Sequence, residues 1–248
     1  MKAKKILVCL SLVAAMSVTS AAANIGLTSG GLRADGTTSS PTTDITLDSS
    51  EFGTLTVADD GRQFWNGSYT TDEIRFAWDL TLDSDPLVTG AFSVTNLLGF
   101  SQFFQFQTAV PSTIAVPIGG VMKGSSSVTV ADANGDAAAS LSSLAGTAVY
   151  QGRIEGVTLA DVPGAALFNP FSLTVNSIVG SDSRTAGFSG STPVPVGIGK
   201  LVALRHSFLL SAGDSATVNS TFYVVPEPAG VALFLVGCLA LGGMRKRS

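Results

Sequence analysis

The chain has 248 residues, of which 45% are hydrophobic and 13% are charged, and it contains 54 serines and threonines. This composition excludes an intrinsically disordered chain, because disordered chains contain fewer apolar and more charged residues. Residues 24–225 carry 8 Lys or Arg against 17 Asp or Glu, a net charge of −9. Such an acidic segment repels phosphate backbones, which argues against nucleic acid as a partner.

The first 23 residues have the three parts of a secretory signal peptide. Residues 1–5 include three lysines, residues 6–16 are apolar except for one serine, and Ala21-Ala22-Ala23 supplies small residues. Signal peptidase recognises small residues after an apolar core, so Ala21 and Ala23 are the predicted cleavage determinants. The alternative is an uncleaved N-terminal anchor, which the short apolar core disfavours.

The first part of the body is predicted to be β-structure. Residues 24–41 are rich in Gly, Ser and Thr and indicate a loose arm or an edge strand. Residues 73–82 alternate apolar and polar side chains, which is typical of a strand with one buried face. Residues 87–97 and 102–110 are predicted to form the next pair of strands.

The second part of the body continues the same pattern. Residues 125–132 and 136–141 flank Asn134-Gly135, a dipeptide that favours a type I′ hairpin turn. Residues 200–210 and 215–225 are predicted to be a further pair, joined by a short turn, and residues 171–179 to be one more strand. The short strands and frequent turns predict an all-β body that is a β-sandwich of jelly-roll-like form.

Two segments of the body are predicted not to be strands. Residues 181–199 contain two prolines and four glycines, which indicates a surface loop. Residues 137–148 are rich in Ala and Ser and are compatible with one short helix.

An aromatic and amide cluster is the candidate ligand-binding site. Trp65, Asn66 and Tyr69 fall in an apparent loop, where an aromatic ring and an amide could contact a sugar. Trp78 instead shares the apolar side of its strand and is predicted to lie in the core.

A second candidate is a calcium loop. Asp132, Asn134 and Asp136 place oxygen-bearing side chains at alternate positions, as calcium loops do. The same residues also suit a hairpin turn, and no Glu follows before Glu155, so the prediction is that no metal and no cofactor is required.

Catalytic groups are sparse. His206 is the one histidine of the sequence, it lies among apolar residues, and no Gly-x-Ser-x-Gly sequence accompanies it. The only cysteines, Cys9 and Cys238, lie outside the body, which therefore has no disulfide and no thiolate nucleophile. We predict that the protein is not an enzyme and assign no catalytic residue.

The C-terminus has its own three-part pattern. Pro226-Glu227-Pro228 follows the last predicted strand, residues 229–244 carry no charged side chain, and Arg245, Lys246 and Arg247 lie just before the terminal Ser248. Sixteen helical residues would span about 24 Å, close to the apolar thickness of a bilayer. The basic end predicts a cytoplasmic tail, with the body on the other side of the membrane. A buried core helix is the alternative.

This pattern resembles the PEP-CTERM sorting signal of exported proteins of Gram-negative bacteria. The resemblance covers residues 226–248 and implies recognition by an exosortase, a membrane-embedded processing enzyme, with cleavage near Pro226, Glu227 and Pro228. It also implies an association with exopolysaccharide and biofilm. The resemblance implies that the C-terminal helix holds the protein in the inner membrane during sorting. The protein then reaches the cell surface or the extracellular space.

The expected organisation is therefore a signal peptide over residues 1–23, an all-β body over 24–225 and a sorting signal over 226–248. The leading hypothesis is an exported, non-enzymatic surface or matrix protein. Its main rival is a carbohydrate-binding jelly-roll module that acts on extracellular polysaccharide. A glycosidase ranks third, since it would need two carboxylates facing each other across a cleft.

Overall fold

The computed structural model describes residues 23–31, 43–85, 87–111, 120–154, 165–194 and 201–225. These ranges form β-strands without any helix, and the strands make two antiparallel sheets. The strands are β1 Asn24–Gly31, β2 Thr43–Asp48, β3 Thr54–Val57, β4 Gln63–Thr70, β5 Ile74–Asp83, β6 Leu87–Asn96, β7 Gln102–Pro111, β8 Val121–Ala131, β9 Ala139–Ser142, β10 Tyr150–Ile154, β11 Ala166–Leu167, β12 Ser172–Val175, β13 Ser181–Pro193, β14 Leu201–Leu210 and β15 Ser215–Val225.

The two sheets contain seven and eight of these strands. The seven-stranded sheet has the order β13-β8-β15-β6-β5-β4-β3. The eight-stranded sheet has the order β11-β10-β14-β7-β1-β2, with β9 pairing with β14 and with β12 at one end. The predicted all-β class and the sandwich of two sheets are confirmed.

Alternation along the strands builds the core. In β5 the side chains of Ile74, Phe76, Trp78 and Leu80 are buried, while Arg75 and Asp79 between them are exposed. This is the period of two that a strand imposes when one of its faces is covered.

Aromatic rings join the two sheets in the middle of the sandwich. Phe76 and Phe92 of the seven-stranded sheet both contact Phe106 of the other sheet, with ring centroids 5.3 and 4.7 Å apart. These rings are at most 1% exposed, so they contribute large apolar areas to the core.

Tyr150 connects the sheets with a polar contact. Its ring lies in the core beside His206, and its hydroxyl donates to the carbonyl oxygen of Thr221 in β15, at 2.9 Å. Burial raises the pKa of the Tyr150 hydroxyl, which keeps this group neutral and able to donate.

The structure corrects two predicted strand pairs. The strands β6 and β7 follow each other in the chain but lie in different sheets, and so do β14 and β15. Each short connection therefore crosses from one sheet to the other, because the apolar sides of both strands must face a common core.

Several predicted loops and turns are also corrected. The N-terminal segment contains β1, an inner strand between β7 and β2 with Ile25 and Leu27 fully buried. The predicted loop over 181–199 contains the long edge strand β13, and the predicted helix over 137–148 contains β9. In both segments the pairing offered by a neighbouring strand outweighs the local preference of Gly, Pro and Ala.

The predicted hairpin around Asn134-Gly135 does not form. A type I′ turn needs positive φ at both central residues, and here Gly135 has φ +79° whereas Asn134 is not in that region. The strand that follows, β9, pairs with β12 and β14 and not with β8.

The terminal segments fall outside the described residues, apart from Ala23. This holds for Ala21, for Pro226, Glu227 and Pro228, and for the basic residues Arg245, Lys246 and Arg247. Within the ranges given above, no helix has the length and apolarity needed to cross a membrane.

Candidate functional site

A polar depression lies on the outer face of the seven-stranded sheet. It is a groove of about 410 Å³, and we call it the hydroxyl groove. Its polar lining is Asp79, Thr81, Thr89, Ser125, Ser127, Thr185, Asn219 and Thr221.

Strand register explains why a groove forms there. Ala91 of β6 lies directly between Asp79 of β5 and Asn219 of β15. Neighbouring strands are about 4.8 Å apart, so the two longer side chains flank a small one across roughly 10 Å. The methyl group of Ala91 forms the floor, and the polar side chains form the walls.

Part of the lining is fixed by internal hydrogen bonds. The hydroxyls of Thr89 and Thr221 lie 2.8 Å apart, and Thr185 donates to the hydroxyl of Ser127 at 3.1 Å. Among the described residues, the exposed side chains of Asp79 and Asn219 have no hydrogen-bond partner. They offer a carboxylate, an amide donor and an amide acceptor to a ligand.

The groove continues beside an aromatic residue. A second depression shares Ser125 and is lined by Lys123 and Tyr223, with the Lys123 ammonium 5.9 Å from the centre of the Tyr223 ring. Tyr223 is half-buried and points outward, since it alternates with the buried Phe222 and Val224. Polar groups and one aromatic face are thus present on one surface.

The structure does not bring the three side chains of the predicted aromatic site onto one surface. Trp65 lies in β4, is fully buried, and donates its indole N–H to the carbonyl oxygen of Phe52 at 2.7 Å. Asn66 is exposed on the opposite side of the strand, and Tyr69 packs against the core next to Phe52. Consecutive strand residues point to opposite faces, so Trp65 and Asn66 cannot line one surface.

The predicted calcium residues lie at one end of the sandwich. Asp132 and Asp136 are brought together with Asp214, which immediately precedes β15, and one carboxylate oxygen of each lies within 4.8 Å of the others. We call these three residues the Asp132 cluster. Asn134 is not part of this cluster. Its side-chain amide donates to Asp136 at 3.1 Å and to the carbonyl oxygen of Ala212 at 2.9 Å.

Backbone amides already use the oxygens of Asp132. Gly135 donates to one oxygen at 2.7 Å, and Ala137 and Val179 donate to the other at 3.1 Å each. Burial acts to raise the pKa of Asp132, but these amide hydrogen bonds outweigh it and hold the pKa below its ordinary value.

The Asp132 cluster has a clear structural role. Ala137 and Val179 both have positive φ, 65° and 57°, which costs energy for residues with a side chain. Both donate to Asp132, so its carboxylate stabilises two strained positions in different loops. The sequence-based expectation that no metal is required at these residues stays a prediction.

His206 is a core residue. It is 0% exposed, it lies in β14, and its ring contacts those of Phe92, Phe106 and Tyr150. Burial lowers the pKa of His206 to about 3, so the ring is neutral at physiological pH.

The hydroxyl groove could not be found from the sequence. Asp79 and Asn219 are 140 positions apart, and each occupies an outward position of an alternating strand. Alternation shows that they face solvent, but only the order of strands in the sheet brings them onto one row.

No protein-family model matches the chain, and no curated protein matches it. One solved structure that it resembles is TmCBM61 in complex with β-1,4-galactotriose, with 13% identity, 60% of this chain and 88% of that chain covered, and a TM-score of 0.26. A likeness of this size transfers neither a ligand nor a binding residue.

Proposed function

We propose that this chain is an exported, non-enzymatic bacterial surface or matrix protein. It is sorted through residues 226–248 and processed by an exosortase-type enzyme. One observation carries the proposal: β1 begins at Asn24 and β15 ends at Val225, so the described sandwich occupies the interval between the two terminal sequence patterns. A signal peptide and a C-terminal membrane helix can then act without belonging to the core.

The experiment expresses the full chain in a Gram-negative host with and without the processing enzyme. We expect the protein at the inner membrane without the enzyme, and at the surface or in the medium, shortened near Pro226, with it. Mass spectrometry of the C-terminus gives the cleavage position. A variant with alanine at Pro226, Glu227 and Pro228 should stay unprocessed, and an intact wild-type tail in the presence of the enzyme would refute the assignment.

The second candidate is binding of a neutral polysaccharide by a jelly-roll-like body. The observation that favours it is the hydroxyl groove, whose lining includes the carboxylate of Asp79, the amide of Asn219 and several hydroxyl groups. Sugar hydroxyls are recognised by such groups, with aromatic faces such as that of Tyr223 adding stacking area.

A glycan array with the full chain tests this candidate. Asn219→Ala should weaken binding about fivefold, because one hydrogen bond contributes about 1 kcal/mol. Ser93→Ala, an exposed change on the same face outside the groove, is the matched control. Equal affinities for both variants would exclude the groove as the binding surface.

A further inference from the structure

Two arginines lie side by side on the outer face of the eight-stranded sheet. Arg205 of β14 pairs with Gln151 of β10, and Arg153 of β10 pairs with Ala203 of β14. Residues that pair directly, or that are two apart in a strand, share a face. Arg153 and Arg205 are therefore diagonal neighbours, and both are half-buried.

The partners of both guanidinium groups are neutral. Arg153 donates to the amide oxygen of Gln107 at 3.0 Å, and Arg205 donates to that of Gln105. In the part of the chain that the structure describes, neither arginine forms an ion pair, and the salt bridge found there is between Arg62 and Asp60. Burial, and then the like charge of Arg153, lowers the pKa of Arg205.

Three further polar groups on the same face have unused hydrogen-bonding capacity. The Nε of Arg205, the hydroxyl of Ser207 and the amide oxygen of Gln151 are buried, and none of them has a hydrogen-bond partner among the described residues. Ser207 is 1% exposed and Gln151 is 5% exposed. Buried polar groups are normally paired, so these three atoms keep hydrogen-bonding capacity that the described residues do not use.

We propose that this arginine patch, made of Gln105, Gln107, Gln151, Arg153, Arg205 and Ser207, binds the carboxylate group of an acidic polysaccharide. Guanidinium groups form strong charge-assisted hydrogen bonds to carboxylates. The half-buried amide groups of Gln105 and Gln107 beside the arginines can hydrogen-bond to the hydroxyl groups of a sugar. The choice of a polysaccharide as the carrier of the carboxylate rests on the proposed export of the chain to an extracellular matrix.

The net charge of the body does not prevent this binding. Residues 24–225 carry a net charge of −9, which repels a polyanion at long range. At physiological ionic strength the screening length is about 8 Å, so charges farther away contribute little. Contacts made directly at the two guanidinium groups then determine the affinity.

The test measures binding of the full chain to polygalacturonate by titration calorimetry, with fully methyl-esterified polygalacturonate as the uncharged comparison. We expect binding to the acid form alone. Arg153→Gln and Arg205→Gln should each weaken it at least about tenfold. Arg75→Gln removes one positive charge from the exposed outer face of the opposite sheet, outside the hydroxyl groove, and should leave the affinity unchanged.

Several results would overturn the proposal. These are equal binding of the methyl ester, equal losses of affinity in Arg75→Gln and the two arginine-patch variants, or binding of free sulfate without any binding of the polymer, which would mean a site for small anions only. Thermal melts verify that each variant is folded, and the two arginine variants test the patch independently. Tail processing, measured separately, shows whether the sorting assignment fails on its own.

Discussion

At the scale of single residues, burial determines what each ionisable group can do. His206 and Asp132 are both buried side chains of residue types that are often exposed, yet their surroundings differ. Aromatic rings surround the imidazole and favour its neutral form, whereas backbone amides surround the carboxylate and favour its charged form. The two residues therefore respond differently to pH.

The first prediction concerns His206 and acid. Its pKa is about 3 in the folded chain and about 6.5 when unfolded, so folding stability should decline as pH falls from 6.5 towards 3. The loss from this residue at pH 4 is about 3 kcal/mol. Urea denaturation of wild type and His206→Leu at pH 7 and pH 4 measures it. The variant should lose less stability between these values, and equal losses would contradict the assignment.

The second prediction concerns Asp132. Asp132→Ala leaves the amides of Gly135, Ala137 and Val179 without an acceptor, so the melting temperature should fall by at least about 4 °C at pH 7. Because the folded pKa is lowered, this contribution is present above the unfolded pKa and is lost as pH falls through the folded pKa. The difference between wild type and variant should therefore narrow in acid. Asp85→Ala, at an exposed turn, is the control, and an equal effect there would contradict the role of Asp132.

At the scale of strands, the sequence predicted the alternation of buried and exposed side chains better than it predicted which strands pair. The alternation around Trp78 placed β5 within one residue at each end, because a half-buried strand leaves a clear pattern. For Trp65 the sequence predicted a loop, because Asn66, Gly67 and Ser68 are typical turn residues. In the structure Trp65 lies in β4. Gly67 is in fact required in the strand, because a Cβ there would lie 2.5 Å from the Trp78 ring.

Strand partners and binding surfaces could not be predicted in the same way. Alternation fixes which face of a strand is buried, but it does not say which sheet the strand joins. This is why β14 and β15 were expected to pair, and why Arg153 and Arg205, 52 positions apart, gave no signal. Both features depend on contacts between distant parts of the chain.

The third prediction tests the close approach of the two sheets. Gly152 of β10 lies under the ring of Phe222 in β15, and a Cβ there would lie 2.6 Å from ring carbons. Gly152→Ala should therefore destabilise the fold by about 1–3 kcal/mol through overpacking. Gly26→Ala in β1, where a Cβ meets nothing within 4 Å, is the control. Urea denaturation measures both, and equal free energies of unfolding would contradict this packing.

At the scale of the whole molecule, the two proposed binding surfaces lie on opposite sides of the described sandwich. The hydroxyl groove lies on the outside of one sheet and the arginine patch on the outside of the other, so neither interrupts the core. The last described strand ends at Val225, just before the predicted sorting signal. We therefore expect processing of the predicted tail to leave the described sandwich unchanged.

The fourth prediction concerns the end of the folded body at Val225. A chain ending at Val225 should keep its melting temperature within about 3 °C of the full chain, because β15 and its two ladders remain intact. A chain ending at Leu210 lacks β15 and should not fold, since the centre of the seven-stranded sheet is lost. Circular dichroism melts distinguish the two. Unfolding of the chain that ends at Val225 would show that the tail contributes to the core.

The position of β15 has a mechanical consequence. This strand is hydrogen-bonded to β8 on one side and to β6 on the other, and residue 225 leads directly into the C-terminal segment. If the body is bound to a ligand while a force acts on that segment, the force is applied along the length of β15, an inner strand. Both ladders would then have to shear together, whereas a strand at the edge could be peeled away one hydrogen bond at a time. A cell tethered through this end would therefore be held by an inner strand, whose two ladders of hydrogen bonds must break together.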